Sequence, residues 1–486
     1  MTAISDFQAD PAFTEDPVDR VLELLQRRVA LKTESQSATC RQVNEEYLND
    51  ISRQLQPLGF EVAQYENPES ADHPLLIATR REAESSPTVL LYGHGDVQFA
   101  QTDQWDESLD PWRLEVRDGK IYGRGTADNK GQHTVNLVAL ESALLRLAED
   151  QGESVSSARL GFNLTLLMET AEEVGSTGLR EFAERHASTL SADLFIGSDG
   201  PRFTANVPTI FLGSRGSLNV RLDCSERKGA HHSGNWGGKL RNPATVIAAA
   251  IATLVDGNGR ILVDELRPPE LPEAVRKAIN NLPAESEASD DPAVDSCWGE
   301  PGLSPNERAL GFNTLEVLTL EAGTPKTPVN AIPGSASALV QLRYIVGTDA
   351  DNIIPAIQRA LKKAGIRNVD VRAEGGMSAT RLSPDHPAVV AAAEAITRTT
   401  GKTPAVMPNL GGTIPNSVFS DTLNLPTVWI PHSYPGCNQH APNEHALLSI
   451  LSEGFEIMQS IFLSIGEHPD RWIVSSGKRT PGSQGA

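Results

Sequence analysis

The chain has 486 residues, of which 39% are hydrophobic and 22% charged, and its formal net charge is -21. A chain of this length exceeds what one hydrophobic core usually supports, so two domains are expected. The acidic surplus argues against nucleic acid and anionic membrane surfaces as partners, because both would be repelled.

No export or anchoring signal is visible. Residues 1–19 mix acidic residues with Gln and Pro and lack the basic stretch and apolar run of a signal peptide. The longest apolar run, 246–255, is too short to span a bilayer. The cysteines have no CxxC spacing, which favours reduced thiols over a disulfide framework. We therefore expect a cytoplasmic protein with no membrane partner.

The first half of the chain alternates helix and strand patterns. Residues 18–58 have helical apolar spacing, Asp118-Gly119 predicts a hairpin turn, and the leucines after Gly131 mark one face of a helix. Strands are predicted at 60–65, 88–92, 162–168, 194–196 and 427–430. These apolar runs are typical of a mixed, largely parallel sheet covered by helices, which is an α/β fold.

Residues 215–377 form a different pattern. Apolar and polar residues alternate at 218–222 and 338–344, as expected of a sheet with one covered face. Helices predicted at 243–254 and 351–364 complete a βαββαβ order, and 268–305 is predicted to be a loop-rich insertion. We therefore predict a discontinuous domain, 1–214 and 378–486, interrupted by a ferredoxin-like domain at 215–377. Residues 475–486 have little to bury and are predicted to be disordered.

The residues that indicate chemistry follow predicted strands. His94 and Asp96 follow the strand predicted at 88–92, and Glu172 and Glu173 follow the strand at 162–168. Asp199 follows the strand at 194–196, and His440 lies in a loop after the strand at 427–430. Ligands of open α/β sheets bind beyond the carboxyl ends of the strands, so we expect these side chains to converge. Asp128 joins them from a glycine-rich loop that precedes a helix.

Two imidazoles and three carboxylates suit divalent metals. His94, Asp128, Glu173, Asp199 and His440 would hold zinc, with manganese or cobalt as alternatives. Five ligands are too many for one catalytic zinc but suffice for two if one carboxylate bridges, and such a pair polarises a carbonyl and activates water. Glu172, next to Glu173, is then placed to serve as general base and acid.

Each residue alone also has an ordinary structural interpretation. A single histidine such as His94 is usually a core or surface residue, and Glu172-Glu173 could be a solvated face. Asp128 could be a helix N-cap, and Asp199-Gly200 a turn. Their joint placement at several strand ends is what favours a metal centre.

Four segments carry recognisable motifs. Residues 92–98 contain GHxDV, 122–131 YGRGxxDxKG, 172–176 EExGS and 440–444 HxxNE. These motifs resemble those of the dinuclear metallopeptidases that include carnosinase, carboxypeptidase G, aminoacylase and succinyl-diaminopimelate desuccinylase. The resemblance covers roughly 20–465 and is greatest to the carnosinase-type dipeptidases.

The resemblance implies a role for each residue of the centre. Asp128 would bridge the metals, Glu173 and His440 would complete one site, and His94 and Asp199 the other. Glu172 would be the general base, and Asp96 would orient His94 by accepting its remaining N–H. The interrupting domain would be a lid that often dimerises.

The same resemblance nominates residues within the lid and near the C-terminus. His232, in an HSG segment, would stabilise the oxyanion, sometimes across a dimer; an exposed loop histidine is the alternative, more so for His231. Asn330 and Arg343 resemble a grip on the substrate carboxylate, although an arginine on a strand can also be merely solvated. Gly412 and Thr413 are further candidate contacts to a terminal carboxylate.

The chain departs from relatives at two places. Asn409 and Leu410 stand where carnosinase-like members carry Arg-Glu, so a carboxylate for a free substrate amine is missing. An acylated or uncharged amine side is then favoured more than in ordinary dipeptidases. Asn129 replaces a second Asp, which we expect to matter less because Asp128 is intact.

We therefore predict a dinuclear metallohydrolase acting on the amide bond of a small, carboxylate-bearing substrate. It would be a dipeptidase, carboxypeptidase or N-acyl amino acid deacylase and, by the resemblance, a homodimer through the lid. The alternatives are a hydrolase of an unrelated amide or C–N bond and a metal-free binding protein that kept the fold.

Overall fold

The computed structural model describes residues 16–283, 294–295 and 297–474. Contacts divide the chain into two compact units. The first consists of 16–210, Pro387–Pro404 and 429–474, and the second of the described residues of Phe211–His386 together with Ala405–Val428. The disorder predicted for 475–486 lies outside the described residues. Catalytic domain and lid remain predicted roles for the two parts of the chain.

The described residues contain thirteen α-helices. They are α1 Pro17–Ala30, α2 Arg41–Leu55, α3 Lys130–Gln151, α4 Leu179–Arg185, α5 Ala187–Leu190, α6 Ser233–Trp236, α7 Pro243–Leu254, α8 Glu273–Asn280, α9 Pro305–Leu310, α10 Ile353–Lys363, α11 Pro387–Thr400, α12 Leu448–Glu467 and α13 Pro469–Trp472. Short 3-10 turns join several of them.

Seventeen strands are described. They are β1 Glu61–Tyr65, β2 Leu75–Arg80, β3 Thr88–His94, β4 Glu115–Arg117, β5 Lys120–Tyr122, β6 Asn163–Glu169, β7 Leu194–Gly197, β8 Thr209–Phe211, β9 Gly216–Ser225, β10 His231–His232, β11 Thr314–Ala322, β12 Ala331–Ile332, β13 Ser335–Tyr344, β14 Asp370–Met377, β15 Ala405–Met407, β16 Thr427–Trp429 and β17 His445–Leu447. Along the chain, β8 and β16 each cross a unit boundary.

The sheet of the first unit carries the predicted ligand-bearing strands side by side. Its order is β1-β2-β6-β3-β7. Strand β2 pairs antiparallel with both β1 and β6, whereas β3 runs parallel to both β6 and β7. Every residue of β3 and β6 is buried, as expected of strands covered on both faces. The predicted α/β fold is therefore confirmed, although β2 was missed.

Helix packing in the first unit follows from apolar stripes. Asp16 caps α1 by accepting a hydrogen bond from Val18 N, and α1 buries Val21, Leu24 and Leu25. Helix α3 is buried along much of its length and packs against α1, α12 and β3. The predicted hairpin is present as β4 and β5, with Asp118 and Gly119 at positive φ in the turn.

The second unit has the predicted β-α-β-β-α-β order of its main elements. Its antiparallel sheet is ordered β11-β13-β9-β14, which is the ferredoxin-like arrangement. Helices α7 and α10 cover one face and bury a core that includes Val220, Leu222, Ile247, Val340 and Ile357. Successive residues of these strands therefore point alternately into this core and towards the other face, which explains the alternation of apolar and polar residues in the sequence.

The segment 268–305, predicted to be a loop-rich insertion, contains helical structure among its described residues. Helix α8 lies within it and buries Val275 and Ile279. Helix α9 begins at Pro305 with a capping box between Ser304 and Glu307. Loop composition concealed both because Pro and acidic residues are also common at the first turns of helices.

One described helix, α12, is long and apolar enough to cross a membrane. Just over half of its apolar window, 56%, is buried within the protein, and a core helix passes the same test of length and composition. The finding is therefore weak evidence for a membrane span.

Candidate metal centre

The predicted ligands of the first unit do come together. His94 is the last residue of β3, Glu172 and Glu173 form a 3-10 turn just after β6, and Asp199 follows β7 by two residues. Because these three strands are parallel neighbours, their carboxyl ends meet at one edge of the sheet. The loop that carries His440 reaches the same group of side chains.

Asp128 comes from a loop folded tightly over the start of α3. A Cβ at Gly131 would lie 1.9 Å from the Thr126 carbonyl oxygen, so only glycine permits this approach. Gly125 has a φ of +90° and packs on the Lys130 side chain. The glycines of the motif therefore shape the loop that presents Asp128.

The donor atoms form two groups that share Asp128. His94, Asp128 and Asp199 make one, and Asp128, Glu173 and His440 the other; within each group the donors lie within 4.8 Å of one another. Asp128 Oδ1 is 3.1 Å from His94 Nε2, and Asp128 Oδ2 is 2.9 Å from His440 Nε2. Each oxygen of this carboxylate therefore faces a different group, as a bridging ligand requires.

In each donor group a second carboxylate also lies close to the imidazole. Asp199 Oδ2 is 3.7 Å from His94 Nε2, and Glu173 Oε2 is 3.1 Å from His440 Nε2. Glu173 Oε1 is buried and, among the described residues, has no hydrogen-bond partner. A buried carboxylate oxygen without a hydrogen-bond donor is free to bind a cation.

Asp96 connects the two predicted catalytic segments. Its Oδ1 lies 3.3 Å from His94 Nδ1, and its two oxygens accept hydrogen bonds from Glu172 N at 3.2 Å and Glu173 N at 3.0 Å. It thus fixes the ring of one ligand and the backbone of the turn that carries another.

The electrostatics of the centre favour added positive charge. Burial, and then Asp128, raise the pKa of Asp199 to about 7, and burial raises that of Glu172 well above its usual range. Hydrogen bonds to Asp128 and Glu173 raise the pKa of His440 to about 10. With the carboxylates outnumbering the imidazoles, a divalent cation would replace the protons that the imidazoles otherwise take up. The residues therefore fit a metal.

In the second unit, His232 and Asn330 lie together. His232 pairs with Ala331 between β10 and β12, and the Asn330 carbonyl accepts hydrogen bonds from Ser233 N and Oγ. Gly234 N donates to His232 Nδ1 at 3.1 Å, so a neutral ring carries its proton on Nε2. The side chain of His232 is exposed, with its Nε2–H able to donate outward.

Arg343 and Thr413 form a second pair in that unit. The Arg343 guanidinium donates to Thr413 Oγ1 and to Gln341 Oε1. Nearby, Arg215 Nε donates to the Gly411 carbonyl at 3.2 Å. The backbone of Leu410 pairs with Gly213 and Arg215, which fixes the segment before Gly412.

Comparison with known proteins now decides the family. A family model described as "Peptidase family M20/M25/M40" matches residues 90–464.

The chain belongs to this peptidase family.

Individual relatives of this M20 chain agree. It is 26% identical over 389 residues to the cysteinylglycine-S-conjugate dipeptidase of Corynebacterium striatum, covering 77% of this chain and 79% of the relative. It is 28% identical over 418 residues to human beta-Ala-His dipeptidase, covering 81% and 78%. The predicted family, with its carnosinase-type members, is confirmed.

A solved structure supports the same assignment. An M20 family metallo-carboxypeptidase from Sulfolobus solfataricus superposes with a TM-score of 0.75 at 25% identity, covering 92% of this chain and 99% of that one. The predicted enzyme class is therefore also confirmed: the chain is a metallohydrolase that cleaves amide bonds of the peptide type.

Sequence reasoning missed a residue on which the M20 centre depends, Glu444. Its carboxylate pairs with Arg124 at 2.7 Å and accepts hydrogen bonds from Gly125 N, Ala127 N and Asp128 N. Arg124 and Glu444 are both about 1% exposed. The signal was available, because Glu444 closes the HxxNE motif and Arg124 stands in the glycine-rich loop.

Two glutamines were also missed. Gln98 Nε2 donates to Glu173 Oε2 at 3.0 Å, and Gln439 donates to Asp128 Oδ2. Both are amides beside predicted ligands, a position that sequence alone does not distinguish from a solvated one.

Replacing Glu444 by Ala should destabilise the protein by about 3–5 kcal/mol, because it leaves Arg124 buried without its partner. It should also loosen the Asp128 loop and weaken metal binding by at least about tenfold. Urea unfolding of the metal-free protein and chelator competition measure the two effects. Glu453→Ala, which removes the ion pair of another buried arginine, Arg202, is the control; equal metal affinity in both variants would contradict the role of Glu444.

Proposed function

We propose that this M20 chain is a dinuclear zinc dipeptidase whose substrate carries a free carboxylate. The observation that carries the proposal is the pair of donor groups sharing Asp128, with Glu172 beside them. The names of its relatives, a cysteinylglycine-S-conjugate dipeptidase and a beta-Ala-His dipeptidase, support a dipeptide-sized substrate. We further propose a cytoplasmic location, which the free thiols of Cys40, Cys224 and Cys437 support.

Zinc is proposed because the donors are imidazole nitrogens and carboxylate oxygens without thiolate. His94 and Asp199 would hold one ion, Glu173 and His440 the other, and Asp128 both. Bound divalent ions would supply Lewis acidity, which polarises the scissile carbonyl and makes a water more acidic.

The protein's own groups would then move the proton. Glu172 accepts a proton from the attacking water as the C–O bond forms, and returns it to the leaving amine as the C–N bond breaks. Asp96 holds the backbone of Glu172 and the ring of His94 during these steps. In the second unit, the Nε2–H of His232 is proposed to donate to the developing oxyanion.

Replacing Glu172 by Gln or Ala should lower kcat by about 10²–10⁴-fold, because both changes remove the carboxylate that is proposed to carry the proton. Metal content should not change, since Glu172 belongs to neither donor group. Steady-state kinetics and elemental analysis of the same preparations test both statements. Glu141→Gln, at a buried glutamate bonded to Gln54, is the matched control. Near-normal turnover in either Glu172 variant would remove it from this role.

Gently purified protein should contain up to two zinc ions per chain. Because Asp128 is common to both donor groups, Asp128→Ala should lose both ions, whereas His440→Ala should lose about one. Elemental analysis measures these contents. Fewer than one ion per chain, together with full activity in chelator, would contradict the dinuclear scheme.

A free carboxylate is proposed to bind Arg343 and Thr413, with Gly412 and Asn330 as further contacts. Burial lowers the pKa of Arg343, which remains charged at neutral pH, so its guanidinium suits a bidentate carboxylate. Leu410 offers no charge to a substrate amine and is only 9% exposed. We therefore propose that N-acylated substrates are accepted alongside free dipeptides.

Amidating the carboxyl terminus of a good dipeptide should raise KM by at least about tenfold, because a hydrogen bond to a charged group contributes roughly 1.5–3 kcal/mol. Arg343→Met should abolish that difference between acid and amide. The comparison uses paired acid and amide substrates, each as the free amine and as the N-acetyl form. A wild-type enzyme that cleaves acid and amide equally would overturn the carboxylate assignment, and a strict requirement for the free amine would overturn the acylated class.

We also propose that the second unit forms a homodimer through β11. This strand is at the edge of its sheet and exposes Val317, Leu318 and Leu320, the last by 56%. A cavity of about 420 Å³ beside it is lined by α7, Val317 and the exposed Trp298. An apolar edge strand is a ready surface for pairing with a second copy.

Leu320→Lys should convert a dimer into a monomer, because it buries a charge in the paired edges. Sedimentation velocity at micromolar concentration measures the mass. Leu262→Lys, at another exposed leucine of the same unit, should leave the dimer intact. A wild-type chain that sediments as a monomer would contradict the proposal.

A further inference from the structure

Asn129 is hydrogen-bonded to two segments that carry metal ligands and directly follows a third ligand, Asp128. Its Nδ2 donates to the Ser198 carbonyl at 2.7 Å, one residue before Asp199. Its Oδ1 accepts from His133 Nδ1 at 3.0 Å and, at a longer 3.4 Å, from His94 N. Asn129 itself is fully buried.

The orientation of this amide follows from its neighbours. The Ser198 carbonyl can only accept, so the Asn129 nitrogen must face it. Oδ1 then faces two N–H groups, which requires His133 to carry its proton on Nδ1. His133 Nε2 is left as an acceptor, and Tyr47 Oη lies 2.5 Å away as its donor. Each donor therefore meets an acceptor from the Ser198 carbonyl through Asn129 and His133 to Tyr47, and all of these groups are uncharged.

His133 stays neutral in this arrangement. Burial, and then the charge of Arg28, hold the pKa of His133 well below its usual range. Tyr47 is also buried, and burial raises the pKa of its hydroxyl well above its usual range. Both groups therefore keep fixed protons.

His133 and Tyr47 also pack against the backbone on both sides of His94. A Cβ at Gly93 would lie 2.8 Å from His133 Cβ, and one at Gly95 would lie 2.4 Å from the Tyr47 ring. The glycines that flank His94 thus allow these two rings to contact the ligand segment directly. This packing is independent of the hydrogen bonds and leads to the same segment.

We propose that Asn129, supported by His133 and Tyr47, is a positioning residue that fixes His94 and Asp199 relative to Asp128. The amide is suited to this because it donates and accepts at once, whereas a carboxylate would face the Ser198 carbonyl with no hydrogen to donate. Because Asn129, His133 and Tyr47 are uncharged, the negative charge of the centre stays on the proposed ligands. The proposal rests on the proposed metal centre but assigns residues outside it.

The test measures zinc affinity by chelator competition in the full-length protein. Asn129→Ala should weaken zinc binding about 10–100-fold, the usual effect of losing a group that orients ligands. Tyr47→Phe, which removes one hydroxyl and is expected to fold, should weaken it by at least about threefold because His133 loses its fixed tautomer. kcat should fall in both while KM changes little.

The matched control is Tyr344→Phe. Tyr344 is also buried, and its Oη donates to the Met377 carbonyl at 3.1 Å, between β13 and β14, which carry no predicted metal ligand. This variant should leave zinc affinity unchanged even if it lowers the melting temperature.

A double variant separates coupling from general destabilisation. If Tyr47 acts through Asn129, Tyr47→Phe should have no further effect on zinc affinity in the Asn129→Ala background. Unchanged zinc affinity in both single variants, or fully additive effects, would overturn the inference. A wild-type chain that binds no zinc would instead overturn the proposed function.

Discussion

The burial of several carboxylates at one place is the constraint on which this centre depends. Burial raises the pKa of Glu172, Glu173 and Asp199, whereas hydrogen bonds to His440 and His94 hold the pKa of Asp128 below its usual range. Two neighbouring buried acids have partners within the protein: Asp96 receives backbone N–H groups, and Glu444 receives Arg124. The carboxylates of the two donor groups are poorly solvated because they are buried. Their negative charge is therefore stable only beside a cation.

Much of the fold and of the first-unit site could be predicted from the sequence. The apolar runs at 88–92 and 162–168 marked strands covered on both faces, and parallel neighbours must bring His94, Glu173 and Asp199 to one edge. Strand β2 was missed, and α8 was hidden within Pro- and acid-rich sequence. Short elements of this kind are stabilised by tertiary packing, which leaves little periodicity to detect.

The two glutamines that sequence reasoning missed share a physical cause. Gln98 and Gln439 act through hydrogen bonds to other side chains, and such contacts leave no pattern along the chain, whereas Glu444 had a signal in the HxxNE motif. Asn129 is expected to matter less than the intact Asp128, and its hydrogen bonds reach His94 N and the Ser198 carbonyl, in two segments that carry predicted ligands. The metal ligands were easier to find because their residue types are themselves unusual in a buried cluster.

The Glu444 contacts also bear on the order of events during synthesis. The glutamate lies 316 to 320 residues along the chain from the Arg124–Asp128 loop that it holds. A growing chain can pair β3 with β6 while still on the ribosome, but the loop must wait for nearly the whole chain before its arginine and amides are satisfied. Contacts so distant in sequence form late and slowly. The strands of the sheet are therefore joined by contacts far closer in sequence than those that hold the loop of the acidic centre.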